Sequence, residues 1–226
     1  MASRVVSTVK KSKFMRRFPN PSIGALLVCI IYAFLLVIAT FTPVPQLIPT
    51  LPKEAFLHPM EFFNGSNPIE SYTRLFYYIP QIPVVLLIAA TVGPRLGLLS
   101  VLMYVAAGIS GLPVFAGGGG VDYFTRLGFG YILGFIPGIF TAGNILTNKD
   151  KSFLAFRAAI VGVSFIHITG IIYLILVLLF KSEPVSSILG WIWQLSGIQF
   201  FYDIIFGVLA VFLGRILRKI LWIAMD

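Results

Sequence analysis

Charged residues are scarce in this sequence, and cysteine is nearly absent. Only 11% of the 226 residues are charged, whereas 58% are hydrophobic and the mean hydropathy is +0.95. Soluble domains usually contain about 25% charged residues, so this composition excludes an ordinary soluble domain and indicates a membrane protein. The single cysteine, Cys29, excludes an internal disulfide.

The sequence patterns of common enzyme classes are also missing. There is no HExxH motif, no Walker A loop and no nucleophile–base pair, so we predict neither an enzyme nor a protein that hydrolyses ATP by itself. No cofactor or metal is expected, and uphill movement of a solute would need a partner or an ion gradient. The net charge of +9 does not indicate nucleic-acid binding, because the basic residues flank apolar segments and form no groove with interleaved aromatics.

Long apolar segments dominate what the sequence does contain. A membrane-spanning helix needs about 20 apolar residues, and fewer where neighbours or a thinner bilayer compensate. The six candidate spans are Ser22–Phe41, Phe76–Val92, Leu96–Ile109, Leu127–Leu146, Phe153–Phe180 and Ile198–Ile220. We predict an all-α integral membrane protein in which six transmembrane helices form one compact bundle, residues 22–226, after a basic cytoplasmic segment, residues 1–21.

Lysine and arginine are distributed unequally between the two sides of these spans. With the N-terminus inside the cell, 13 of the 17 basic residues fall on the inner side. The outer side holds Lys53, Arg74, Arg126 and Lys181. Because Lys and Arg favour the cytoplasmic side, we expect both termini in the cytoplasm of a multi-pass protein of the cell membrane.

The terminal and connecting segments carry further signals. The basic head resembles a signal peptide, but the uncharged stretch from Phe18 to Leu51 is too long for one, so we expect a retained first span. The extracytoplasmic loop 42–75 begins with four prolines that cannot continue a helix, and its part Glu54–Tyr72 has room for a short surface helix. The connection Val185–Gly197 contains two tryptophans, which fits either a segment in the outer interface or ordinary loop packing.

The stretch Gly111–Gly120, GLPVFAGGGG, interrupts the apolar pattern without any charge. Four consecutive glycines permit positive φ angles and close backbone approach. Irregular backbone at membrane depth is tolerated where it is buried or lines a cavity. Because Leu112, Val114 and Phe115 would be exposed to water in a mobile surface turn, we expect the loop to dip into the bundle.

Three polar residues near or inside the spans are candidates for function. Asp203 lies about 18 Å along a helix from Arg215, which places its carboxylate inside the membrane. Such a carboxylate is costly and marks a functional site, unless it forms a structural hydrogen bond inside the bundle or the last helix merely starts at this residue. Arg126 either binds a ligand carboxylate or pairs with Asp122 four residues earlier. His167 is interpreted as a helix–helix hydrogen bonder, because its own span contains no carboxylate for a proton relay.

Small residues recur at every fourth position of the first span, at Ala25, Cys29 and Ala33. This ridge lets another helix approach closely. The spacing fits packing within the bundle and docking of a separate protein equally well.

A series of residues between Ile82 and Phe135 carries a family resemblance. It consists of GPRLG at 93–97, Tyr104, Gly108, GLPVFAGG at 111–118 and GYILGF at 130–135. The series resembles the BioY family, whose members are biotin-binding S components of energy-coupling factor (ECF) transporters.

The resemblance implies a substrate-binding subunit that holds biotin or a related vitamin-like solute in an outward-facing pocket. It also implies docking onto a transmembrane T component coupled to ATPases, with Ala25, Cys29 and Ala33 as the docking ridge. Asp203 would accept hydrogen bonds from groups such as a ureido N–H, and Arg126 would face a carboxylate tail. The predicted ligand-binding residues are Tyr104, Pro113, Phe115, Gly117, Arg126, Tyr131 and Asp203.

The chain departs from the family pattern at two places. The family's Gly-Pro-Thr-Gly-Gly-Tyr run corresponds to residues 126–131, where only the final Gly130-Tyr131 remains. The family's last span has an aspartate followed three residues later by a lysine, and here Phe206 follows Asp203. These departures keep a second hypothesis open, a non-transporting membrane assembly or scaffold protein built on the same bundle.

Overall fold

The structure is a computed structural model that describes residues 22–49, 60, 64, 73–147 and 153–225. In this part of the chain, five helical stretches are long and apolar enough to cross a membrane. They are Ile23–Thr40, Gln81–Ile109, Phe129–Leu146, Leu154–Phe180 and Val185–Leu221. The predicted helical membrane bundle is therefore confirmed. The predicted basic segment 1–21 lies outside the described residues.

The predicted second and third spans form one helical element, α2 (Gln81–Ile109), after the first helix, α1 (Ile23–Thr40). Gly93 interrupts α2 with non-helical backbone angles, φ 80° and ψ −178°, and Pro94 follows it. A straight helix would separate Gln81 from Tyr104 by about 34 Å. Their side chains instead share a hydrogen bond of 3.1 Å. The element therefore folds back on itself at Gly93.

A short sheet precedes α2, which corrects the purely helical prediction. Strands β1 (Val44–Pro49) and β2 (Thr73–Tyr78) pair antiparallel, with Val44 opposite Tyr78 and Pro49 opposite Thr73. The second span thus begins at Gln81 and not at Phe76, because the residues before it extend as a strand. The surface helix predicted within Glu54–Tyr72 lies outside the described residues, apart from positions 60 and 64.

The remaining helices follow α2 in chain order. They are a 3₁₀ helix at Val121–Thr125, α3 (Phe129–Leu146), α4 (Leu154–Phe180), α5 (Val185–Ile192) and α6 (Ile198–Met225). A π-helical turn, Trp193–Gly197, joins α5 to α6. The connection predicted at Val185–Gly197 is therefore helical throughout, because no residue between Val185 and α6 breaks the backbone pattern.

Glycines allow α3 and α4 to approach closely. A Cβ added at Gly134 would lie 2.7 Å from the carbonyl oxygen of Ile166, and one added at Gly138 would lie 2.5 Å from the Ile166 side chain. Both distances are too short for an added side chain, so the backbone of α3 packs against the Ile166 backbone at Gly134 and against the Ile166 side chain at Gly138. The contact holds the cavity-lining face of α3 against the part of α4 that carries His167.

Candidate functional site

A cavity of about 520 Å³ lies where the start of α2, the loop after it, α3 and the α5–α6 region meet. This volume falls in the range of small-molecule sites, about 300–1,000 Å³. Its apolar wall is formed by Ile79, Ile82, Leu127, Ile132, Phe135, Trp191 and Leu195. Its polar lining comes from Gln81, Tyr123, Thr125, Arg126, Tyr131, Lys181 and Gln199.

Two cations line this cavity, and none of its described lining residues is acidic. Arg126 directly follows the 3₁₀ helix, and its backbone N–H donates to the carbonyl of Tyr123. Lys181 directly follows α4, and its Nζ donates to the carbonyl oxygen of Thr125 at 3.3 Å. Among described residues no ion pair joins Arg126 to Asp122, which was the alternative role for this arginine. Because the described lining holds two cations and no acidic side chain, the cavity favours an anionic group.

The loop after α2 closes one side of the cavity and is anchored by Phe115. This ring is fully buried and packs against Tyr104, Tyr123 and Phe129, with centroid distances of 5.2, 4.7 and 6.1 Å. Its backbone N–H and carbonyl both pair with Gly118, at 3.0 and 3.1 Å. The expectation that the loop dips into the bundle is therefore confirmed for Phe115, while Leu112 remains 55% exposed.

Tyr123 connects the same loop to the cavity. Its hydroxyl donates to the carbonyl oxygen of Ala116 at 2.8 Å, and both residues line the cavity. Burial raises the pKa of Tyr123, although the nearby Arg126 lowers it. The phenol therefore stays protonated at neutral pH and holds the loop as a donor.

A hydrogen-bonded chain runs from the cavity into the bundle. The Tyr131 hydroxyl lies 2.5 Å from the Ser196 Oγ, which lies 2.9 Å from His167 Nδ1. His167 Nε2 lies 3.0 Å from Asp203 Oδ2, and the Tyr78 hydroxyl donates to Asp203 Oδ1 at 2.6 Å. Burial raises the pKa of Tyr78, and the Asp203 carboxylate raises it further, so this phenol remains a donor. Each of the five polar side chains in this hydrogen-bonded series, from Tyr131 to Tyr78, thus has a partner.

A second network supports the cavity from the α1 side. Gln81 Nε2 donates to Thr40 Oγ1 at 2.6 Å and to the Tyr104 hydroxyl at 3.1 Å. The Tyr104 hydroxyl in turn donates to the carbonyl of Val114 at 3.4 Å. Gln81 lines the cavity, so this network ties α1, both halves of α2 and the loop to one cavity residue.

Comparison with protein families identifies the architecture around this cavity. The model of the BioY family matches residues 78–222, which is more than half of the chain. The chain belongs to the BioY family. The match begins at Tyr78. It therefore includes every described residue of the cavity lining and every side chain of the hydrogen-bonded series from Tyr131 to Tyr78.

Individual BioY relatives match a shorter region. The chain is similar to the probable biotin transporter BioY of Lysinibacillus sphaericus, at 35% identity over 98 residues, covering 42% of this chain and 49% of that protein. It is 38% identical to the biotin transporter BioY of Thermotoga maritima over 96 residues, covering 42% and 56%. The chain thus spans about half the length of these curated relatives.

A solved structure shares the fold. The crystal structure of the S-component for biotin from an ECF-type ABC transporter superposes with a TM-score of 0.61, covering 88% of this chain and 93% of that chain. The sequence identity is 22%, so this likeness concerns the BioY fold alone.

The structure brings two of the predicted ligand-binding residues, Arg126 and Tyr131, to the cavity lining. Tyr104 and Phe115 are buried behind the lining, where they support Gln81 and the loop. Asp203 has no exposed surface, and both of its oxygens are already hydrogen-bonded, Oδ1 to the Tyr78 hydroxyl and Oδ2 to His167 Nε2. Exposed in the loop are Pro113 and Gly117, neither of which belongs to the lining.

The predicted docking ridge needs a correction at its centre. Cys29 is fully buried, and its Sγ donates to the carbonyl oxygen of Leu96 in α2 at 3.4 Å. The small side chain lets α1 approach α2, so at this position the ridge packs within the BioY bundle. Ala25 and Ala33 are half-buried and leave part of their surface open.

Sequence reasoning missed Gln81 and Lys181 as cavity residues, and it missed the carboxylate partner of His167. That partner, Asp203, comes from α6, 36 residues away in sequence. Inspection of a single span therefore excluded a pairing that the packing of α4 against α6 creates. Gln81, Lys181 and Asp203 are each a polar residue within or at the end of an apolar segment. This position is the one sequence signal that points to them.

Proposed function

We propose that the chain is the substrate-binding membrane subunit for uptake of biotin or a closely related vitamin-like solute. The observation that carries this proposal is the cavity of about 520 Å³, which combines an apolar wall with two cations and no acidic residue in its described lining. The names of the BioY relatives, biotin transporters, supply the ligand class.

The chemistry of biotin suits this lining. Its carboxylate tail would pair with Arg126 and Lys181, and its fused rings would contact the apolar wall. Its ureido group would meet polar side chains such as Tyr131, Gln81 and Gln199. In this arrangement Asp203 acts through its hydrogen-bonded partners and does not reach the ligand.

We also propose six membrane crossings with both termini in the cytoplasm, in which the two halves of α2 cross separately. The fold-back at Gly93 supports this count. A second cavity, of about 390 Å³, is lined by Ser22 from the start of α1 and by Arg218 from the last helix. The first and last helices therefore have these ends on one side of the bundle, as an even number of crossings requires.

Transport by this subunit would depend on partner proteins. The chain has no Walker A loop, so ATPases coupled through an ECF T component would energise uptake at the cell membrane. Ala25 and Ala33, which retain open surface on α1, remain the proposed contact residues for that partner.

Binding of labelled biotin to the purified protein tests the proposal directly. Arg126→Gln should weaken biotin binding about tenfold, because a charge-assisted hydrogen bond to the carboxylate is lost. The esterified ligand, which lacks the carboxylate charge, should lose much less. Arg157→Gln is the matched control, since Arg157 is exposed and lines neither cavity. If the unaltered protein binds no biotin at micromolar concentration, the biotin proposal is wrong.

One observation favours the scaffold alternative. Phe206, which replaces the family's lysine, packs against Tyr78 and Tyr202 with centroid distances of 5.3 and 6.2 Å, and so forms part of an apolar aromatic cluster. Purification from native membranes separates the two functions. A T component with ATPases in the eluate supports uptake, whereas a stable complex with other membrane proteins and without ATPases supports a scaffold.

A further inference from the structure

We infer that the buried Asp203–His167–Ser196 chain fixes the Tyr131 hydroxyl as a hydrogen-bond donor toward the cavity. The site would therefore select a ligand that presents a carbonyl oxygen, or another acceptor, to Tyr131. This inference rests on the proposed function, because it concerns how that cavity reads its ligand. Asp203, His167 and Ser196 act as positioning residues.

The geometry separates the positioning residues from the ligand. Tyr131 lines the cavity, whereas Ser196, His167 and Asp203 do not, and they are 8%, 3% and 0% exposed. The distances along the chain, 2.5, 2.9 and 3.0 Å, lie within the range of ordinary hydrogen bonds. A change at Asp203 therefore reaches the cavity through three successive contacts.

The number of protons that the Asp203–His167 pair holds sets the direction of the hydrogen bonds from this pair to Tyr131. One Asp203 oxygen accepts from Tyr78, and the other faces His167 Nε2. A buried site strongly disfavours a net charge, so the Asp203–His167 pair holds one shared proton and is neutral as a whole. The rings that face His167 from its other neighbours, Tyr131 at 5.5 Å and Phe200 at 5.2 Å, carry no charge that would offset a lone carboxylate.

The position of the shared proton between Asp203 and His167 does not alter the result. With an ion pair, or with a protonated carboxyl and a neutral ring, His167 Nδ1 carries a hydrogen and donates to the Ser196 Oγ. Ser196 then donates its own hydrogen to the Tyr131 oxygen. The Tyr131 hydrogen has no partner left in the protein chain and points to the cavity. The order of donors and acceptors reverses only if the Asp203–His167 pair has lost the shared proton.

The ureido group of biotin fits this donor. Its carbonyl oxygen accepts hydrogen bonds, whereas 2-iminobiotin carries a protonated guanidinium-like group at neutral pH and offers only donors there. A fixed Tyr131 donor would therefore discriminate against 2-iminobiotin. A site that hydrogen-bonds its substrate rejects mismatched analogues strongly, because buried polar groups are left unpaired.

Binding of biotin and 2-iminobiotin to the purified protein tests whether the Tyr131 hydroxyl donates toward the cavity. In Ser196→Ala the Tyr131 hydroxyl is free to rotate and accept, so we expect the Kd ratio of 2-iminobiotin to biotin to fall about tenfold. A purely structural loss would weaken both ligands equally and would overturn the inference. Thr169→Val is the control, because this partly exposed threonine of α4 bonds to its own helix at the Phe165 carbonyl and lines neither cavity.

In contrast to Ser196→Ala, the substitution Asp203→Asn should leave the direction of the hydrogen bonds unchanged. The amide N–H would donate to His167 Nε2, and the amide oxygen would accept from Tyr78, so the proton order stays the same. We expect biotin affinity within about threefold of the unaltered protein, since no hydrogen bond is lost. A loss beyond tenfold would indicate that the carboxylate charge itself is required and would overturn the inference.

Nuclear magnetic resonance decides the matter without any ligand. The chain has two histidines, so ¹⁵N-histidine labelling gives two ring systems, and His58→Gln assigns the signal of His167. We expect a directly bonded hydrogen on His167 Nδ1 at neutral pH. A His167 Nδ1 without a bonded hydrogen would reverse the direction of the hydrogen bonds through Ser196 to Tyr131. That result would overturn the inference, even if biotin binds. If Nδ1 is protonated but biotin does not bind, the relay stands and the proposed ligand fails.

Discussion

Individual residues in this bundle tolerate an apolar setting because their polar atoms are paired. Asp203 and His167 are nearly fully buried, and each has two hydrogen-bond partners. Removing one partner from such a network leaves an unsatisfied group that costs about 1–3 kcal/mol. Shape is constrained as tightly at Gly108, where an added Cβ would lie 1.9 Å from the Phe115 ring.

Gly108→Ala should therefore displace Phe115 and disorganise the wall of the cavity. We expect a loss of about 1–3 kcal/mol in the free energy of unfolding, as for other overpacked cores, together with weaker biotin binding. Thermal unfolding in detergent and a binding titration measure the two effects. Gly190→Ala is the control, since no atom lies within 4 Å of its added Cβ. Equal behaviour of the two variants would contradict this account of Gly108.

At the scale of elements, the break in α2 places the two networks of the site. Gln81 reaches Tyr104 only because the chain reverses at Gly93. The angles of Gly93, φ 80° and ψ −178°, lie in a region that is essentially restricted to glycine. Pro94, directly after it, further disfavours a helical conformation at residue 93.

Gly93→Ala should destabilise the bundle through backbone strain alone. Nothing lies within 4 Å of an added Cβ at this position, so a steric clash does not contribute. We expect a cost of about 1–3 kcal/mol, read as a lower midpoint of thermal unfolding. Gly128→Ala is the matched control. No atom lies within 4 Å of its added Cβ either, but its φ of −70° is accessible to any residue. A similar midpoint for both variants would mean that the reversal at Gly93 is not a strained conformation.

Over the whole molecule, each end of the bundle holds a cavity. The cavity with Arg126 and Lys181 lies at the end of the loop after α2. Ser22 and Arg218 meet at the second cavity, together with residues of the α2 reversal such as Val92 and Leu96. The proposed orientation puts the first cavity outside the cell and the second at the cytoplasmic face.

Cysteine labelling tests this orientation, since Cys29 is the single cysteine and Cys29→Ala gives a clean background. Val121→Cys should react with a membrane-impermeant maleimide in intact cells, because Val121 is 68% exposed beside the loop. Ile23→Cys and Lys219→Cys, both at exposed positions, should react only after permeabilisation. Labelling of either one in intact cells would refute the six-crossing arrangement with both termini inside.

Composition and the length of the apolar runs by themselves determined the class of this protein and most helix positions. Uncharged apolar runs of about 20 residues are typical of membrane-spanning helices, and Ile23–Thr40 and Leu154–Phe180 end close to their predicted limits. The residues of the GLPVFAGG series indicate the BioY family, and the sequence also identifies Arg126 and Tyr131 as site candidates. Local signals suffice where a single segment carries the information.

Only the tertiary structure decided which side chains meet. The pairing of Asp203 with His167, the contact of Gln81 with Tyr104 and the burial of Cys29 against α2 each join segments far apart in sequence. Hydropathy reports how much each segment prefers the membrane but not which of its faces meets a neighbour. That choice depends on close helix packing and on the requirement that every buried polar atom find a partner, and both are properties of the assembled bundle.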